Sequence, residues 1–478
     1  MLLAGERVYK IKKPVDFGFL DFTTLPKRRF FCEEELRLNR RLTHDVYLGV
    51  QPITGRPPYI RMGGSGHPLD VAVEMRRLPA DRMLDHLVRT ASVEPALLEH
   101  IGTLVAQFHA AQPTGGEIDE LARPVTIRRN WDENFDQTAN FGPDILPDEW
   151  RRRLRDAVDR VLETEAARFE ARVAAGHARD CHGDLQAQHI CCTQPIQIFD
   201  CIEFNARFRY SDTASEIAFL AMDLDRLGRP DLAMRFLNAY LEESGDYETV
   251  PLLDFYRAYR AFVRGKVMGF QAGRRGAAVA ARDLFALALR YTSRRPRARL
   301  SVMSGVMGTG KSTVARALAA VTEAIVIRTD VVRKRLGGVA LTEHGRHAFD
   351  EGLYTEAMTE RTYAEALRLA RELLRAGWNV IVDGSFSRAV ERDGARALAR
   401  ELNVPFRVLW CDAPDSRVVE HLRQRASDPR EVSDGREELL ADHRRRYETP
   451  EREPDAVRLD TARDPSAAVT RAREALGA

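Results

Sequence analysis

The sequence predicts a chain of two parts, an α+β part with two lobes followed by an α/β part with a parallel sheet. Two observations carry this prediction. Up to residue 290, a few strand-like segments are followed by a long, mostly helical region, whereas from residue 300 short apolar segments alternate with helical patterns. Such alternation is typical of a parallel sheet with helices on both faces. Between the parts lies 291–299, a polar, basic stretch with a proline, which we interpret as a linker.

The composition narrows the class of protein. A chain of 478 residues, 44% of them hydrophobic, suffices for about three folding units and excludes a disordered or collagen-like protein. Its 73 basic and 71 acidic residues nearly cancel, so no global field attracts nucleic acid or an anionic membrane. Six cysteines are too few for a disulfide scaffold, and no apolar run approaches the roughly 18 residues that span a bilayer. With no signal-peptide core at the start, we predict a soluble cytoplasmic protein without a membrane partner.

The N-terminal part, about 1–290, divides into a small β-rich lobe of about 1–78 and a helical lobe of about 79–290. In the small lobe, a predicted helix at 33–42 lies among strand-like segments at 2–12, 45–53 and 70–76. In the helical lobe, a strand–loop–strand stretch at 180–204 interrupts the helices.

The C-terminal part, 300–478, has five predicted strands and a longest helical pattern at 351–376. The strands are short apolar runs separated by helical patterns, at 300–306, 324–329, 379–382, 406–411 and 456–459. This order predicts a parallel sheet whose two faces are covered by helices.

A glycine-rich turn between the first of these strands and its helix fits the pattern G-x-x-x-x-G-K-[ST]. Such a turn directs backbone N–H groups to one point, and the helix N-terminus adds partial positive charge, so the turn predicts polyphosphate binding. Lys311 would reach the outer phosphates and Ser312 would bind Mg²⁺. The residues expected around the nucleotide are Gly305, Val306, Met307, Gly308, Thr309, Gly310, Lys311, Ser312 and Thr313.

Two carboxylates follow neighbouring strands of the C-terminal part. Asp383 ends an apolar strand and is placed to contact Mg²⁺ or to orient a nucleophile; a structural cap is the alternative. Asp330 ends the second strand, where it could accept the proton of an acceptor hydroxyl, with Arg333 one helical turn further on. The alternative for Asp330 is a helix N-cap.

Arginines precede a polar segment at 426–435. Arg423 and Arg425, with Arg417 before them, could lie on a mobile lid and neutralise the charge on a transferring phosphoryl group. A solvated helix face is the alternative interpretation.

Together, these C-terminal motifs resemble the small P-loop kinases, a group with gluconate kinases, chloramphenicol phosphotransferases, zeta toxins and the kinase domain of polynucleotide 5′-kinases. The resemblance rests on the P-loop, on the R-T-D-x-x-R of Arg328 to Arg333, on the V-I-V-D-G of Val380 to Gly384 and on Ser433-Asp434. It implies transfer of a γ-phosphoryl group from ATP or GTP to a hydroxyl, with Asp330 as base and with Lys311 and the arginines stabilising the charge.

A second constellation lies in the N-terminal part. His182-Gly-Asp-Leu185 occupies a polar turn, and about fifteen residues later an apolar strand ends in Asp200. One carboxylate on a loop and another after a strand suit a base and a metal ligand. We interpret Asp184 as the base and Asp200 as the metal ligand, with Glu203 able to share the metal.

This part resembles the aminoglycoside phosphotransferase and choline kinase group, and the whole chain resembles bacterial bifunctional proteins that join such a domain to a P-loop kinase domain. The segments that carry the likeness are 8–14, 17–22, 33–40, 181–185, 199–205 and 218–224. The resemblance implies that Lys12 holds the α and β phosphates and pairs with Glu35; Lys10, on the same strand face, is the other candidate.

The chain departs from this pattern twice. His189 stands where the group has an asparagine metal ligand, and imidazole suits Mg²⁺ poorly. Fewer than ten residues precede the lysine strand, where kinases usually place two strands and a phosphate-covering loop. These departures favour slow turnover or none in the N-terminal part.

The sequence therefore predicts an ATP- or GTP-dependent, Mg²⁺-dependent phosphotransferase with two potential nucleotide sites and a small hydroxyl-bearing acceptor. One alternative is a single catalytic P-loop domain regulated by an N-terminal ligand sensor; others are an ATP-driven switch without an acceptor and a nucleic-acid 5′-end kinase, against which the near-zero net charge argues. A helical row of basic residues, Arg257, Arg260, Arg264 and Lys266, could receive an anion, but we favour a solvated face.

Overall fold

The computed structural model describes residues 1–18, 20–293, 298–343, 352–425, 432–462 and 464–477, with the exception of the side chain of residue 425. The chain divides into two compact units. The first unit consists of Met1–Leu97, Leu104–Arg229 and Leu252–Ser293, and the second of Leu98–Thr103, Pro230–Pro251 and Arg294–Ala478.

The first unit begins with a five-stranded antiparallel sheet in the order β1-β2-β5-β3-β4. Its strands are β1 (Leu2–Ala4), β2 (Arg7–Ile11), β3 (Tyr47–Arg56), β4 (Tyr59–Met62) and β5 (Asp70–Arg76). Helix α1 (Leu25–Asn39) packs on this sheet through Cys32, which joins a buried cluster with Val71, Val73 and Met75. Because burial removes apolar surface from water, this cluster fixes α1, and with it Glu35, against β2 and β5.

The rest of the first unit is mainly helical. Its helices are α2 (Leu84–Arg89), α3 (Pro95–Ala111), α4 (Glu117–Ala122), α5 (Pro124–Gln137), α6 (Asp148–Thr164), α7 (Ala166–Ala174), α8 (Thr213–Arg226), α10 (Leu253–Gly269) and α11 (Ala277–Tyr291). Two small antiparallel pairs interrupt them: β6 (Ala178–Asp180) with β9 (Tyr210–Asp212), and β7 (Ile190–Cys191) with β8 (Gln197–Ile198). Stacked and edge-to-face rings of Trp131, Phe135, Phe262 and Phe285, 5.0–5.5 Å apart, hold α5, α10 and α11 together.

The second unit contains a five-stranded parallel sheet in the order β11-β12-β10-β13-β14. Its strands are β10 (Leu300–Ser304), β11 (Ala324–Arg328), β12 (Asn379–Asp383), β13 (Phe406–Asp412) and β14 (Ala456–Asp460). The helices around it are α9 (Pro230–Ser244), α12 (Lys311–Thr322), α13 (Thr329–Leu336), α14 (Glu356–Arg375), α15 (Ala389–Glu401), α16 (Asp415–Arg425), α17 (Leu440–Arg446) and α18 (Pro465–Leu476). All five predicted strands are present, and the two sheets confirm the predicted fold class.

Helix α9 and the residues after it cover the edge of the parallel sheet. The Asn238 side chain donates to the carbonyl oxygen of Ala324 (3.0 Å) and accepts from the N–H of Val326 (2.7 Å), while the Tyr247 hydroxyl donates to the Val326 carbonyl oxygen (3.1 Å). Strand β11 is an edge strand, so these side chains satisfy backbone groups that a neighbouring strand would otherwise pair. The compact unit thus includes residues well before 300, and the sequence boundaries 1–290, 291–299 and 300–478 stay a prediction.

Two further findings concern the whole chain. Among the described residues, no helix is long and apolar enough to cross a membrane. All six cysteines are buried thiols, and burial raises the pKa of Cys192, Cys201 and Cys411 to about 12.

Candidate active sites

The glycine-rich turn of the second unit joins β10 to α12, as the sequence predicts. Gly305 has φ +142°, and a Cβ there would lie 2.5 Å from the carbonyl oxygen of Cys411 and 2.9 Å from the Thr309 hydroxyl. At Gly308, with φ +79°, a Cβ would lie 2.9 Å from the Val418 side chain. Both positions need glycine because of the backbone angle and because of the neighbouring atoms.

The polar groups of this turn contact their own surroundings. The Lys311 ammonium donates to the Val306 carbonyl oxygen (2.8 Å), and the Met307 N–H donates to Nδ1 of His443 (3.2 Å). Burial and the charges of Lys311 and Arg444 lower the pKa of His443 to about 3, so its imidazole is neutral and can accept this hydrogen bond. The turn therefore holds the Lys311 ammonium in place next to the cavity described below.

Asp383 and Ser312 meet behind the turn. Asp383 ends β12, its carboxylate accepts a hydrogen bond from the Ser312 hydroxyl, and its Oδ2 lies 3.6 Å from Nε of Arg328. Burial raises the pKa of Asp383, while Arg328, Ser312 and Lys311 oppose this rise. A hydroxyl and a carboxylate side by side are hard oxygen ligands of the kind Mg²⁺ takes.

A cavity of about 510 Å³ opens at the carboxyl ends of the parallel strands. The predicted residues that line it are Met307, Gly308, Gly310, Lys311, Ser312, Asp330, Arg333 and Asp383, with Ser433 and Asp434. Side chains that the sequence analysis did not single out complete it: Thr329, Tyr354, Glu356, Thr359, Tyr363, Ser385, Ser387, Arg388, Glu391, His443 and Arg446. Ligand sites of parallel sheets commonly form at this edge.

Asp330 lines this cavity in the first turn of α13. The N-cap position of that helix is Arg328, so Asp330 is not the N-cap residue that the alternative interpretation required. Arg333, one turn on, donates to the Leu353 carbonyl oxygen (2.8 Å) and to the Thr359 hydroxyl (3.0 Å), and its guanidinium lies 4.9 Å from the ring centre of Tyr354. These bonds hold Arg333 at one wall of the cavity.

The structure does not bring the predicted lid arginine to the cavity. Arg423 makes a bidentate ion pair with Glu437 (2.8 and 2.9 Å), and its side chain is 69% exposed. The side chain of Arg425 and residues 426–431 of the predicted lid lie outside the described residues. Within the described part of the chain, Arg388 and Arg446 line the cavity instead, although no sequence motif marked them.

In the first unit, Lys10 of β2 and Lys12, the residue after the end of that strand, contact one buried carboxylate. Lys10 and Lys12 lie two residues apart on one strand face, and their ammonium groups lie 2.8 Å from Oε1 and Oε2 of Glu35. The sequence left open which lysine pairs with Glu35; both do. Burial opposes the charge of Lys10, but Glu35 and Asp200 outweigh it and raise the pKa of Lys10 well above its ordinary value.

The same lysines hold the two predicted metal ligands. Lys10 lies 2.5 Å from Oδ1 of Asp200, and Lys12 is hydrogen-bonded to Glu203. Burial would raise the pKa of Asp200, but Lys10 and His189 lower it to about 2, so this carboxylate is ionised. Burial and the nearby Glu35 raise the pKa of Glu203 in spite of Lys12.

Asp184 lies on a loop between these carboxylates and the helical lobe. Its oxygen accepts a hydrogen bond from Gln186, and burial raises its pKa against the opposing charges of His189 and Arg264. The His189 ring lies between two carboxylates, with Nδ1 3.4 Å from Oδ2 of Asp184 and Nε2 3.5 Å from Oδ2 of Asp200. An imidazole thus occupies the space between the predicted base and the predicted metal ligand.

Buried groups that the sequence analysis did not assign hold this loop. Glu216 accepts from the Gly183 N–H (2.9 Å), Asp223 accepts from the Ala187 N–H (3.0 Å), and Arg260 donates to the Gly183 carbonyl oxygen (3.2 Å). Asp223 falls within the segment 218–224 that resembles the phosphotransferases, and Arg260 belongs to the basic row noted in the sequence, but Glu216 has no sequence signal of its own.

A cavity of about 1100 Å³ unites the site of the first unit. Lys10, Lys12, Asp184, Asp200 and Glu203 line it together with helix α10 and several aromatic side chains. The predicted site residues of this unit are therefore together, with Glu35 behind the two lysines.

Comparisons with known proteins match two successive parts of the chain to two families. Residues 43–258 match a family described as "Phosphotransferase enzyme family", and residues 300–450 match one described as "AAA domain". An uncharacterized protein of Mycobacterium tuberculosis (strain ATCC 25618 / H37Rv) is 35% identical over 432 residues, which cover 89% of this chain and 84% of the relative. An uncharacterized protein of Mycobacterium bovis (strain ATCC BAA-935 / AF2122/97) matches to the same extent. The two-part resemblance predicted from the sequence is confirmed.

Two solved structures are similar to part of the chain. A gluconokinase from Sinorhizobium meliloti 1021 is 23% identical and covers 38% of this chain and 94% of its own, with a TM-score of 0.28. The Mycobacterium tuberculosis APS kinase CysC, solved with AMPPNP and APS, is 21% identical and covers 38% of this chain and 99% of its own, with a TM-score of 0.29.

Proposed function

Because the chain belongs to the family of its mycobacterial relatives and carries a phosphotransferase-family domain followed by a P-loop AAA domain, we propose that it is an ATP-dependent kinase acting on a small hydroxyl-bearing molecule. The observation that carries this proposal is one cavity in the second unit. The P-loop lysine Lys311, the Ser312–Asp383 pair and the carboxylate of Asp330 all line it.

The glycine-rich turn binds the triphosphate. Its N–H groups and the N-terminus of α12 favour anions, and Lys311 exchanges the Val306 carbonyl oxygen for a phosphate oxygen. The exchange is favourable because hydrogen bonds between two charged groups are stronger than those to a neutral carbonyl. Ser312 and Asp383 would hold Mg²⁺, which supplies charge neutralisation to the phosphates.

Asp330 acts as the base for the acceptor. As the acceptor oxygen forms its bond to the γ-phosphorus, the bond from that phosphorus to the β–γ bridging oxygen breaks, and the nucleoside diphosphate leaves with the electron pair. The hydroxyl proton passes to the Asp330 carboxylate. Lys311 stabilises the charge that develops on the phosphoryl oxygens, and Arg333, held by Leu353 and Thr359, contacts the acceptor side.

The first unit supplies a second nucleotide site in the same proposal. Lys12 and Lys10, oriented by Glu35, contact the phosphates, Asp184 serves as base, and Asp200 and Glu203 would hold the metal. The oxygens of these carboxylates fit Mg²⁺, whereas the His189 imidazole between Asp184 and Asp200 does not.

A second candidate function is a single catalytic site in the second unit, regulated by ligand binding to the first. One observation favours it: each predicted metal ligand of the first unit already contacts a lysine ammonium, so a metal ion there competes with the lysines for these carboxylates. Such a unit can bind a ligand without transferring a phosphoryl group.

Labelled transfer tests both candidates. The full chain is incubated with γ-labelled ATP or GTP, Mg²⁺ and a metabolite extract, and labelled products are identified by mass spectrometry. Lys311→Ala and Asp184→Ala are compared with a control, Lys27→Ala, whose side chain is 48% exposed and lies in neither cavity.

A labelled small molecule with the wild type that disappears in Lys311→Ala supports the kinase. Loss of a distinct product in Asp184→Ala supports two sites, and activity unaffected by Asp184→Ala supports the regulated single site. Triphosphate hydrolysis with no labelled product across the extract would contradict both and would favour a switch.

A further inference from the structure

The basic row on helix α10 is not a solvated face. Arg257 and Arg260 are 3% and 6% exposed, and Arg260, Arg264 and Lys266 line the cavity of about 1100 Å³ in the first unit. Cations of α10 thus line the same cavity as the Lys10–Lys12 pair.

Most charges that line this cavity have a partner. Lys10 and Lys12 pair with Asp200, Glu203 and Glu35, as described above. Arg207 makes a bidentate pair with Glu133 (2.8 and 2.6 Å). Arg260 donates to the carbonyl oxygens of Gly183 and Ser215.

Arg264 and Lys266 likewise form no ion pair with a residue that the structure describes. Arg264 forms no hydrogen bond or ion pair with any residue that the structure describes, although it is close enough to Asp184 to oppose the rise of that carboxyl's pKa. Lys266 contacts neutral amide oxygens, Oδ1 of Asn134 (2.5 Å) and Oε1 of Gln137 (2.6 Å), and no carboxylate of the described chain lies within ion-pair distance of it.

The energetic consequence is an attraction for anions. A half-buried cation without an ion pair in contact has lost part of its hydration, and a bound anion restores part of that loss. In agreement, burial and the nearby Arg207 lower the pKa of Lys266 to about 8, against the opposing charge of Glu133. A carboxylate contributes two acceptor oxygens, which suit both a guanidinium and an ammonium.

Much of the remaining cavity lining is apolar. Phe204, Phe208, Phe219, Val263 and Val267 line it, and at its edge Phe17 and Phe270 are 63% and 61% exposed. Aromatic side chains of this kind bind the body of a ring or a chain and leave its polar ends free to reach charged groups.

We propose that this cavity binds an organic acid that carries a hydroxyl group, with its carboxylate on one of the two half-buried cations that lack an ion pair, Arg264 or Lys266, its apolar body on the aromatic side chains and its hydroxyl directed to Asp184. The contact of the hydroxyl with Asp184 rests on the proposed phosphotransferase function of the first unit, whereas binding of the acid does not.

Calorimetry with matched probes tests this site. The full chain, without triphosphate, is titrated with 4-(hydroxymethyl)benzoate and with 3-[4-(hydroxymethyl)phenyl]propanoate, and each acid is compared with its uncharged amide. Arg264→Gln and Lys266→Met are measured beside Arg275→Gln, an exposed arginine of the same segment that does not line the cavity. Circular dichroism establishes that each variant is folded, and ADP affinity is measured on all of them.

At least one acid is expected to bind the wild type about tenfold or more tightly than its amide, and at least one cavity variant to lose about tenfold while Arg275→Gln loses nothing. Equal binding of acids and amides, undiminished binding to both variants, or no binding of either acid at millimolar concentration would overturn the proposal. So would a loss confined to ADP, which would assign the cations to the nucleotide.

The design separates this site from the function proposed above. Acids that bind and are never phosphorylated would contradict transfer in the first unit and leave the acid site standing. Phosphoryl transfer that persists when acids do not bind would contradict the acid site alone.

Discussion

At the scale of single residues, buried charges are shared between partners. Glu35, which is fully buried, contacts two lysines, and each lysine contacts a second carboxylate. Removing one member of such a set leaves an uncompensated charge out of water, and that costs several kcal/mol. The sequence could predict Lys12, Glu35, Asp200 and Glu203 from their motifs. It could not predict that Lys10 takes part equally, because the two-residue period of a strand puts both lysines on one face and does not show which of them contacts Glu35.

Lys266 makes the stability of the first unit depend on pH. Its folded pKa of about 8 lies below the ordinary 10.5, so between these values the unfolded chain binds more protons, and the free energy of unfolding rises with pH. The groups facing it are Glu133, Arg207 and the amides of Asn134 and Gln137.

We expect this rise between pH 8 and 10.5 to be smaller in Lys266→Met than in the wild type. Urea unfolding at several pH values, followed by tryptophan fluorescence, measures the difference between the two proteins, in which other titrating groups cancel. Parallel pH profiles would show that Lys266 titrates normally in the folded chain.

At the scale of elements, the sequence predicts a strand or helix where its pattern of apolar residues is unbroken. The five parallel strands are short apolar runs with polar ends, so each could be located from sequence. Helix α1 begins at Leu25, eight residues before the predicted 33. The prediction missed these turns because Lys27, Arg28 and Arg29 interrupt their apolar pattern. The start signals were present, since Thr24 caps the helix and Pro26 lies in its first turn, but apolar periodicity outweighed them.

The glycine-rich turn is the element whose geometry allows the least change. In Gly305→Ala, the new Cβ would meet the Cys411 carbonyl oxygen and the Thr309 hydroxyl at a φ that alanine rarely adopts, so we expect the turn to shift and ATP affinity to fall by tenfold or more. Calorimetric titration with ATP and Mg²⁺ measures this. Gly273→Ala is the control, because open space surrounds that position and its φ is not positive; equal affinity in both variants would contradict the role assigned to the turn.

At the scale of the whole molecule, each compact unit is built from stretches that are not consecutive along the chain. Residues 230–251 belong to the unit of the parallel sheet, where Asn238 and Tyr247 satisfy the edge strand β11. Sequence patterns could not show this, because the segment is an ordinary amphipathic helix and its hydrogen bonds come from one asparagine and one tyrosine far from the sheet in sequence. The same limit explains why Arg388, Arg446 and Glu216 escaped prediction: tertiary contacts alone bring them to the sites.

We therefore expect residues 298–478 alone to be less stable than the same unit in the full chain. The exposed edge of β11 would leave backbone groups without partners and favour association between copies. Size-exclusion chromatography and thermal unfolding of the fragment, beside a fragment from residue 230, measure the effect. A monomeric fragment from residue 298 that unfolds at the same temperature as the longer one would contradict it.

The account as a whole depends on the triphosphate held by the turn that ends at Lys311. The most direct measurement is calorimetric titration of the folded full chain with a non-hydrolysable ATP analogue and Mg²⁺, for the wild type, Asp184→Asn, Lys311→Ala and Asp383→Asn. We predict a binding event that persists in Asp184→Asn, is lost in Lys311→Ala and becomes less dependent on Mg²⁺ in Asp383→Asn. A wild type that takes up no nucleotide, or a Lys311→Ala variant that binds as the wild type does, would contradict the account.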